Sequence, residues 1–235
     1  MTRFFLSLFL VGVVLISTAQ DKKFAQPDLP GDLVLDIGMN YWTYKEDSIK
    51  AWSSKSLGIY YNKRYKISNK LSFYPSVGLG FERLGFKKNY HYDTDAQRNL
   101  IIDSTFAIIK RNKLAITYLD VPLEIRMHPK GTIEGEGFFV GAGIIGGLKL
   151  SAHTKLKYED NGNKRKEKLS SNFGLQDFRY GYQVRVGWKG FQVFYKKYLS
   201  DLYRKPQELV GPDLQPIGKT FRPSTSTIGI SFAGF

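Results

Sequence analysis

An all-β fold, an antiparallel up-and-down β-barrel of about eight strands crossing a membrane, is predicted by three observations on this 235-residue chain. Segments of about ten residues alternate apolar side chains on one face with acids, bases, Gly and Ser on the other. The connections between those segments run long, short, long, short in order. A short apolar leader at the N-terminus marks the chain for export. Tyr118 to His128 shows the alternation best: Leu119, Val121, Leu123, Ile125 and Met127 share one face, while Tyr118, Asp120, Glu124, Arg126 and His128 share the other. A soluble sheet leaves its second face to water, whereas a membrane barrel turns the apolar face to lipid and the charged face to a narrow lumen.

The leader is residues 1–19. Arg3 precedes an apolar run from Phe4 to Ile16, and Ser17-Thr18-Ala19 has the small-x-small pattern of a signal peptidase site. The run is too short to span a bilayer as a helix. Cleavage between Ala19 and Gln20 is expected, and with no Cys in the chain a lipoprotein anchor is excluded. Residues 20–31, with Pro27 and Pro30, read as a periplasmic lead-in to a barrel domain over 32–235.

Strands are then expected at 33–42, 55–65, 71–86, 118–128, 138–152, 178–188, 191–199 and 224–235. Phe178 to Trp188 is the cleanest, with Phe178, Tyr180, Tyr182, Val184, Val186 and Trp188 facing one way. The polar stretches 44–54, 87–113, 155–176 and 200–223 read as long loops, and pieces at 100–102 and 106–109 as a hairpin beyond the membrane. The connections at 66–70, 129–136 and 189–190 are short turns. With the N-terminus periplasmic, every long connection lands outside and every short one inside, as in outer-membrane barrels.

Aromatics near strand ends (Tyr41, Trp42, Tyr44, Trp52, Tyr90, Tyr92, Trp188 and Tyr203) are candidates for interfacial girdles. The minority face gives a candidate lumenal charge cluster: Asp36, Glu82, Asp120, Glu124, Arg126, Lys149, Arg179 and Arg185. A lipocalin-type barrel would invert this pattern, but charges set among small residues suit a narrow polar interior where acids pair with bases. Phe235 is the candidate C-terminal aromatic read by the barrel-insertion machinery, although Ile228, Ile230 and Phe232 lie out of register with it, so either Gly234 marks a bulge or Phe235 does not face lipid.

Four blocks carry a resemblance to a known family. Leu71-Ser72-Phe73-Tyr74-Pro75, Tyr118-Leu119-Asp120-Val121-Pro122-Leu123, Gly137 to Ala152 and Phe178 to Leu202 resemble the PorT-like outer-membrane β-barrel family of Gram-negative bacteria. The resemblance implies the same barrel and location. The family's name comes from a component of the type IX secretion system, a role the resemblance does not transfer. Pro122 in mid-strand also marks a bulge or edge on physical grounds.

The formal charge of +14 suggests an anionic neighbour. With no nucleic-acid motif or basic helix, nucleic acid is not an expected partner. Outer-membrane lipid is, and Lys164-Arg165-Lys166 with Lys168 is either a site for lipopolysaccharide phosphates or a solvated loop. Gly141-x-Gly143 and Gly146-Gly147 precede no helix, so they suit strand curvature better than phosphate binding. His153, Ser151, Asp93 and Asp95 are the candidates for rim catalysis, in a spacing that matches no motif; His91 and His128 add none. No metal site and no cofactor are expected. The expectation is a non-enzymatic barrel with a filled lumen, structural, adhesive or accessory to secretion, its secretion-system or surface partner not named by the sequence; the alternatives are a small-solute channel and an outer-membrane hydrolase of lipid or peptide.

Overall fold

The alternation closes on itself. The computed structural model of the chain describes residues 31–42, 51–86, 91–94, 100–103, 108–129, 137–160, 162–188, 190–210 and 216–234. Eight strands form a ring: β1 (Asp32–Trp42), β2 (Lys55–Asn62), β4 (Leu71–Gly85), β7 (Ile108–Met127), β8 (Phe139–Asp160), β10 (Phe178–Trp188), β11 (Phe191–Tyr198) and β14 (Thr225–Ala233). Each pairs antiparallel with its predecessor in that order, and β14 pairs with β1. No edge of the ring is left open, which is the condition for a sheet in lipid. Five short strands lie off it among the described residues: β3 (Tyr65–Lys66), β5 (His91–Thr94) paired with β6 (Leu100–Asp103), and β12 (Gln207–Val210) paired with β13 (Pro216–Phe221). β9 (Asn163–Ser170) pairs with the far half of β8.

The stagger of the ring follows from one row of cross-strand neighbours. From Phe178 it passes through Leu148, Leu119, Leu79, Ile59, Leu35, Phe232 and Phe191 to Trp188, on the strand where it began. Return to β10 ten positions along gives a shear of 10 for eight strands. Ten steps of about 3.3 Å over eight spacings of about 4.8 Å tilt the strands by about 40°. Every residue of the row is apolar and on the outer surface, so the row traces the lipid-facing belt. On β10 the belt runs from Phe178 to Trp188, about 25 Å of height at that tilt.

Three expectations are revised. β7 begins at Ile108 and β8 ends at Asp160, so both strands run well past the belt at the end bearing the long connections, here termed the outer end. The stretch 155–176, expected as a charged loop, is mostly the hairpin of β8 with β9, turning at Gly162 with φ of 80°. Every residue of β9 is exposed, so no apolar face betrayed the strand, yet Asn161-Gly162 is a strong hairpin signal. The piece at 100–102 pairs with β5, while 108–109 opens β7. At Pro122, the β4–β7 ladder is interrupted between Pro75–Leu123 and Gly78–Asp120, beside both prolines. On β14, Ile228 and Ile230 face outward and Gly234 has φ of 90°, which breaks the alternation; Phe235 lies outside the described residues.

Candidate functional site

The ring's interior is the candidate site. Its buried charges are four carboxylates, Asp36, Glu82, Asp120 and Glu124, and four bases, Arg126, Arg179, Arg185 and Lys196. Arg179 places Nη2 2.7 Å and Nε 3.1 Å from the two oxygens of Asp120, and its Nη1 2.5 Å from Glu82. Arg185 grips Asp36 with two bonds of 3.0 Å, and its Nε is 3.3 Å from Glu124. Lys196 donates to Asp36 at 2.7 Å and to the Tyr60 hydroxyl at 3.2 Å, and Tyr60 donates to Asp120 at 3.2 Å. Arg126 is 2.5 Å from Glu124, which also accepts from Gln183 at 2.7 Å. The result is one connected chain: Glu82, Arg179, Asp120, Tyr60, Lys196, Asp36, Arg185, Glu124, Arg126.

Flat guanidinium faces left over by this bonding are covered by rings. Arg179 lies 3.5 Å from the Tyr118 centroid and 4.1 Å from that of Tyr198, while Arg126 lies 4.1 Å from Tyr74 and 4.4 Å from Phe139. Stacking of this kind favours a cation in a desolvated space.

The Gly-rich strand β8 has a role that curvature alone does not capture. It separates β7, which bears the acids, from β10, which bears the arginines. Asp120, Gly147 and Arg179 form one cross-strand row, and Glu124, Gly143 and Gln183 another. A Cβ on Gly147 would stand 2.2 Å from an Asp120 oxygen, and one on Gly80 2.4 Å from the other. Absent side chains on the middle strand let the outer two meet across it.

Lys149 does not join the network. It shares the inward parity but lies farther toward the outer end, where its ammonium bonds Asn172, the Leu175 carbonyl at 3.1 Å and Asp177 at 3.0 Å. Lys196 completes the charge balance in its stead. Adjacent Lys196 and Lys197 are alike in chemistry, and the alternation of β11, with Phe191 and Val193 outward and Gln192 and Phe194 inward, selects Lys196 as the inward one. Tyr60, Gln183 and Gln192 are the other network members; alternation on their strands was the signal for them.

The outer mouth is closed by a dry plug. Leu84, Leu114, Ile116, Tyr118 and Ala152 on the strands, with Phe86 just past the end of β4, pack with Phe173, Leu175, Leu202 and Tyr203 from the segments between strands. Phe173 and Gly174 take consecutive left-handed conformations, φ 50° and 64°, turning the chain into the mouth. Left-handed backbone at a Phe is disfavoured, and its near-complete burial offsets that. Gln176 donates its N–H to the Leu202 carbonyl at 2.9 Å, and Arg204 to Gly174 at 2.8 Å, so the two segments cross the opening as a bonded pair.

Tyr203 therefore belongs to the plug and not to a girdle. Trp42 too faces inward, packed edge-on to Phe86 with centroids 5.9 Å apart. Trp188 is exposed at the lower rim of the belt. Tyr44, Ala19 and Gln20 lie outside the described residues, as do the side chains of His91, Asp93 and Asp95. His153 and Ser151 sit on the outward face of β8 beyond the belt; partial burial and then Lys168, Lys113 and Lys155 hold the His153 pKa below its usual 6.5. Among the described residues no group of three or more His, Asp or Glu could hold a metal.

A closed eight-stranded ring, apolar outside and charged within, defines a transmembrane β-barrel. A family model described as "Outer membrane protein beta-barrel domain" matches residues 19–202, and the chain belongs to that family. It is a protein of the outer membrane. Among solved structures it is similar to Ail, the attachment invasion locus protein of Yersinia pestis, at 12% identity and a TM-score of 0.35, covering 88% of this chain and 100% of that one. It is also similar to the N-terminal β-barrel domain of Pseudomonas aeruginosa OprF, at 10% identity and a TM-score of 0.26, covering 87% and 98%. No curated protein matches the sequence.

Proposed function

We propose that this is a non-enzymatic outer-membrane protein whose barrel is a closed, non-conducting scaffold, with a structural, adhesive or secretion-accessory role exercised by the surface it presents outside the cell. The observation carrying this reading is the interior itself: eight buried charges in one bonded chain, capped by an apolar plug. Ions crossing such a lumen would have to displace paired charges from one another and then enter a dry cluster. The blocks at 71–75 and 118–123 support a PorT-like member of the family. The leader supports export with cleavage after Ala19, for which intact-mass analysis of the membrane form is the check. A non-enzymatic role is supported by the surroundings of His153, whose charged neighbours are bases.

Planar-bilayer recording of the purified barrel tests the main claim. The expected trace is flat at all applied voltages. A steady conductance would overturn the closed-lumen reading and make the protein a small-solute channel.

A further inference from the structure

The outward face of the strands changes character where the belt ends. On β2, Leu57 gives way to Lys55, and on β4, Phe81 gives way to Arg83, each two residues along the same face. Lys55 and Arg83 are cross-strand neighbours. Beyond them lie a row of Lys113, Lys155 and Lys168 and another of Arg111, Lys157 and Lys166, across β7, β8 and β9. Like charges directly opposite one another destabilise a sheet, so three such ranks call for counter-charge. Among the described residues none of these bases pairs with a carboxylate, and Glu159, near the tip of the same face, is taken by Lys110. A cleft of about 300 Å³ opens among Trp52, Lys55, Arg83, Arg111 and Lys113. Crowding is felt at Lys113, whose pKa is held below its usual value by partial burial and then by Arg83, Lys155, Arg111 and Lys157.

We propose that this cationic face binds the phosphates of an outer-leaflet glycolipid that carries more than one phosphate group. Clustered phosphates are the chemistry that several lysines and two arginines in ranks accommodate. Position favours a lipid over a soluble polyanion. Anything held by Arg83 and Lys55 lies directly above Phe81 and Leu57 on the same strands, so its apolar part rests on the belt. Trp52, strongly exposed at the cleft, is the residue type that settles at a lipid headgroup boundary. The ranks climb from the belt edge, which suits a charged saccharide headgroup of some height.

The test uses the full chain folded in neutral phosphatidylcholine nanodiscs, titrated with fluorescent diphosphorylated lipid A. Losing three surface bases at Arg83→Gln, Lys113→Gln and Lys155→Gln together weakens binding by on the order of a hundredfold, with the unfolding midpoint unchanged or raised as opposed like charges are removed. Dephosphorylated lipid A binds the wild type no better than the diphosphorylated form binds that variant. A matched triple at the opposite end, Lys63→Gln, Lys66→Gln and Lys70→Gln, binds as the wild type does. Should the first triple not fold, Arg83→Gln and Lys155→Gln singly carry the test, each expected to weaken binding by about fivefold. Equal weakening by both triples, or equal binding of the two lipid forms, overturns the proposal. So does competition by inorganic phosphate or by a soluble sulfated polysaccharide at the same anion concentration, which would make the occupant a soluble anion.

Discussion

Below the bulge at Thr117 and Tyr118, β7 turns Leu119, Val121 and Ile125 outward and Asp120 and Glu124 inward. Above it the same strand turns Lys113 outward and Leu114 and Ile116 inward. β8 repeats the inversion, with Ile144 and Leu148 outward below, and Lys155 and Lys157 outward above over buried Ala152 and Leu156. The two halves obey one rule under different solvents. Where lipid lies outside, polar groups pair within; where water lies outside, apolar groups gather within. Strand geometry is shared, and the medium decides which face carries charge.

Five substitutions, inside and outside each half, can break or sharpen this contrast, read as unfolding midpoints in detergent or vesicles. The largest loss is expected for Arg179→Leu, which strands Glu82 and Asp120 in the lower interior and costs about 3–5 kcal/mol. Arg185→Leu should cost less, since Asp36 keeps Lys196 and Glu124 keeps Arg126. In the upper interior, Leu114→Ala opens a cavity in the plug and costs about 2–4 kcal/mol. Outside, Leu148→Ala in the belt costs under about 1 kcal/mol, because lipid tails fill the space. Lys155→Gln above the belt stays within about 0.5 kcal/mol. If Leu148→Ala matched Leu114→Ala in cost, or Arg179→Leu were neutral, the medium-based account would fail.

The smallest effect is a pH dependence at His153. Its pKa is held below the usual value in the folded chain, so as pH falls through about 6.5 the unfolded chain takes the proton first. The folded state loses stability in that window, and above it the effect vanishes because neither state is protonated. His153→Gln should therefore lose less of its midpoint between about pH 7.5 and pH 5.5 than the wild type does. Parallel slopes would show that His153 carries none of the dependence.

The lower half was legible in the sequence because lipid and lumen impose opposite demands on alternate residues for a full strand length. Asp36, Glu82, Asp120 and Arg179 stand out as charges among Gly and Ser, and parity alone finds them. Parity says nothing of height along the axis, which is why Lys149 looks like a network member while it reaches a segment near the mouth. The plug was illegible for another reason: Phe173, Leu175 and the pair Leu202-Tyr203 stand in polar, turn-rich segments, where no period marks them as buried. The strand β9 was hidden by having no buried face at all.

The bonded chain in the lumen also bears on the order of assembly. Asp36 on the first strand finds its partners Arg185 and Lys196 149 and 160 positions later. Until those late strands arrive, Asp36 has no counter-charge, and a partly built sheet lying in lipid would expose bare carboxylates to hydrocarbon. Insertion one hairpin at a time is thus penalised, and a sheet that curls and closes as it enters is favoured. Neutralisation of Asp36 waits for β10 and β11 to come round to β1, so pairing of the interior charges and curling of the sheet are coupled.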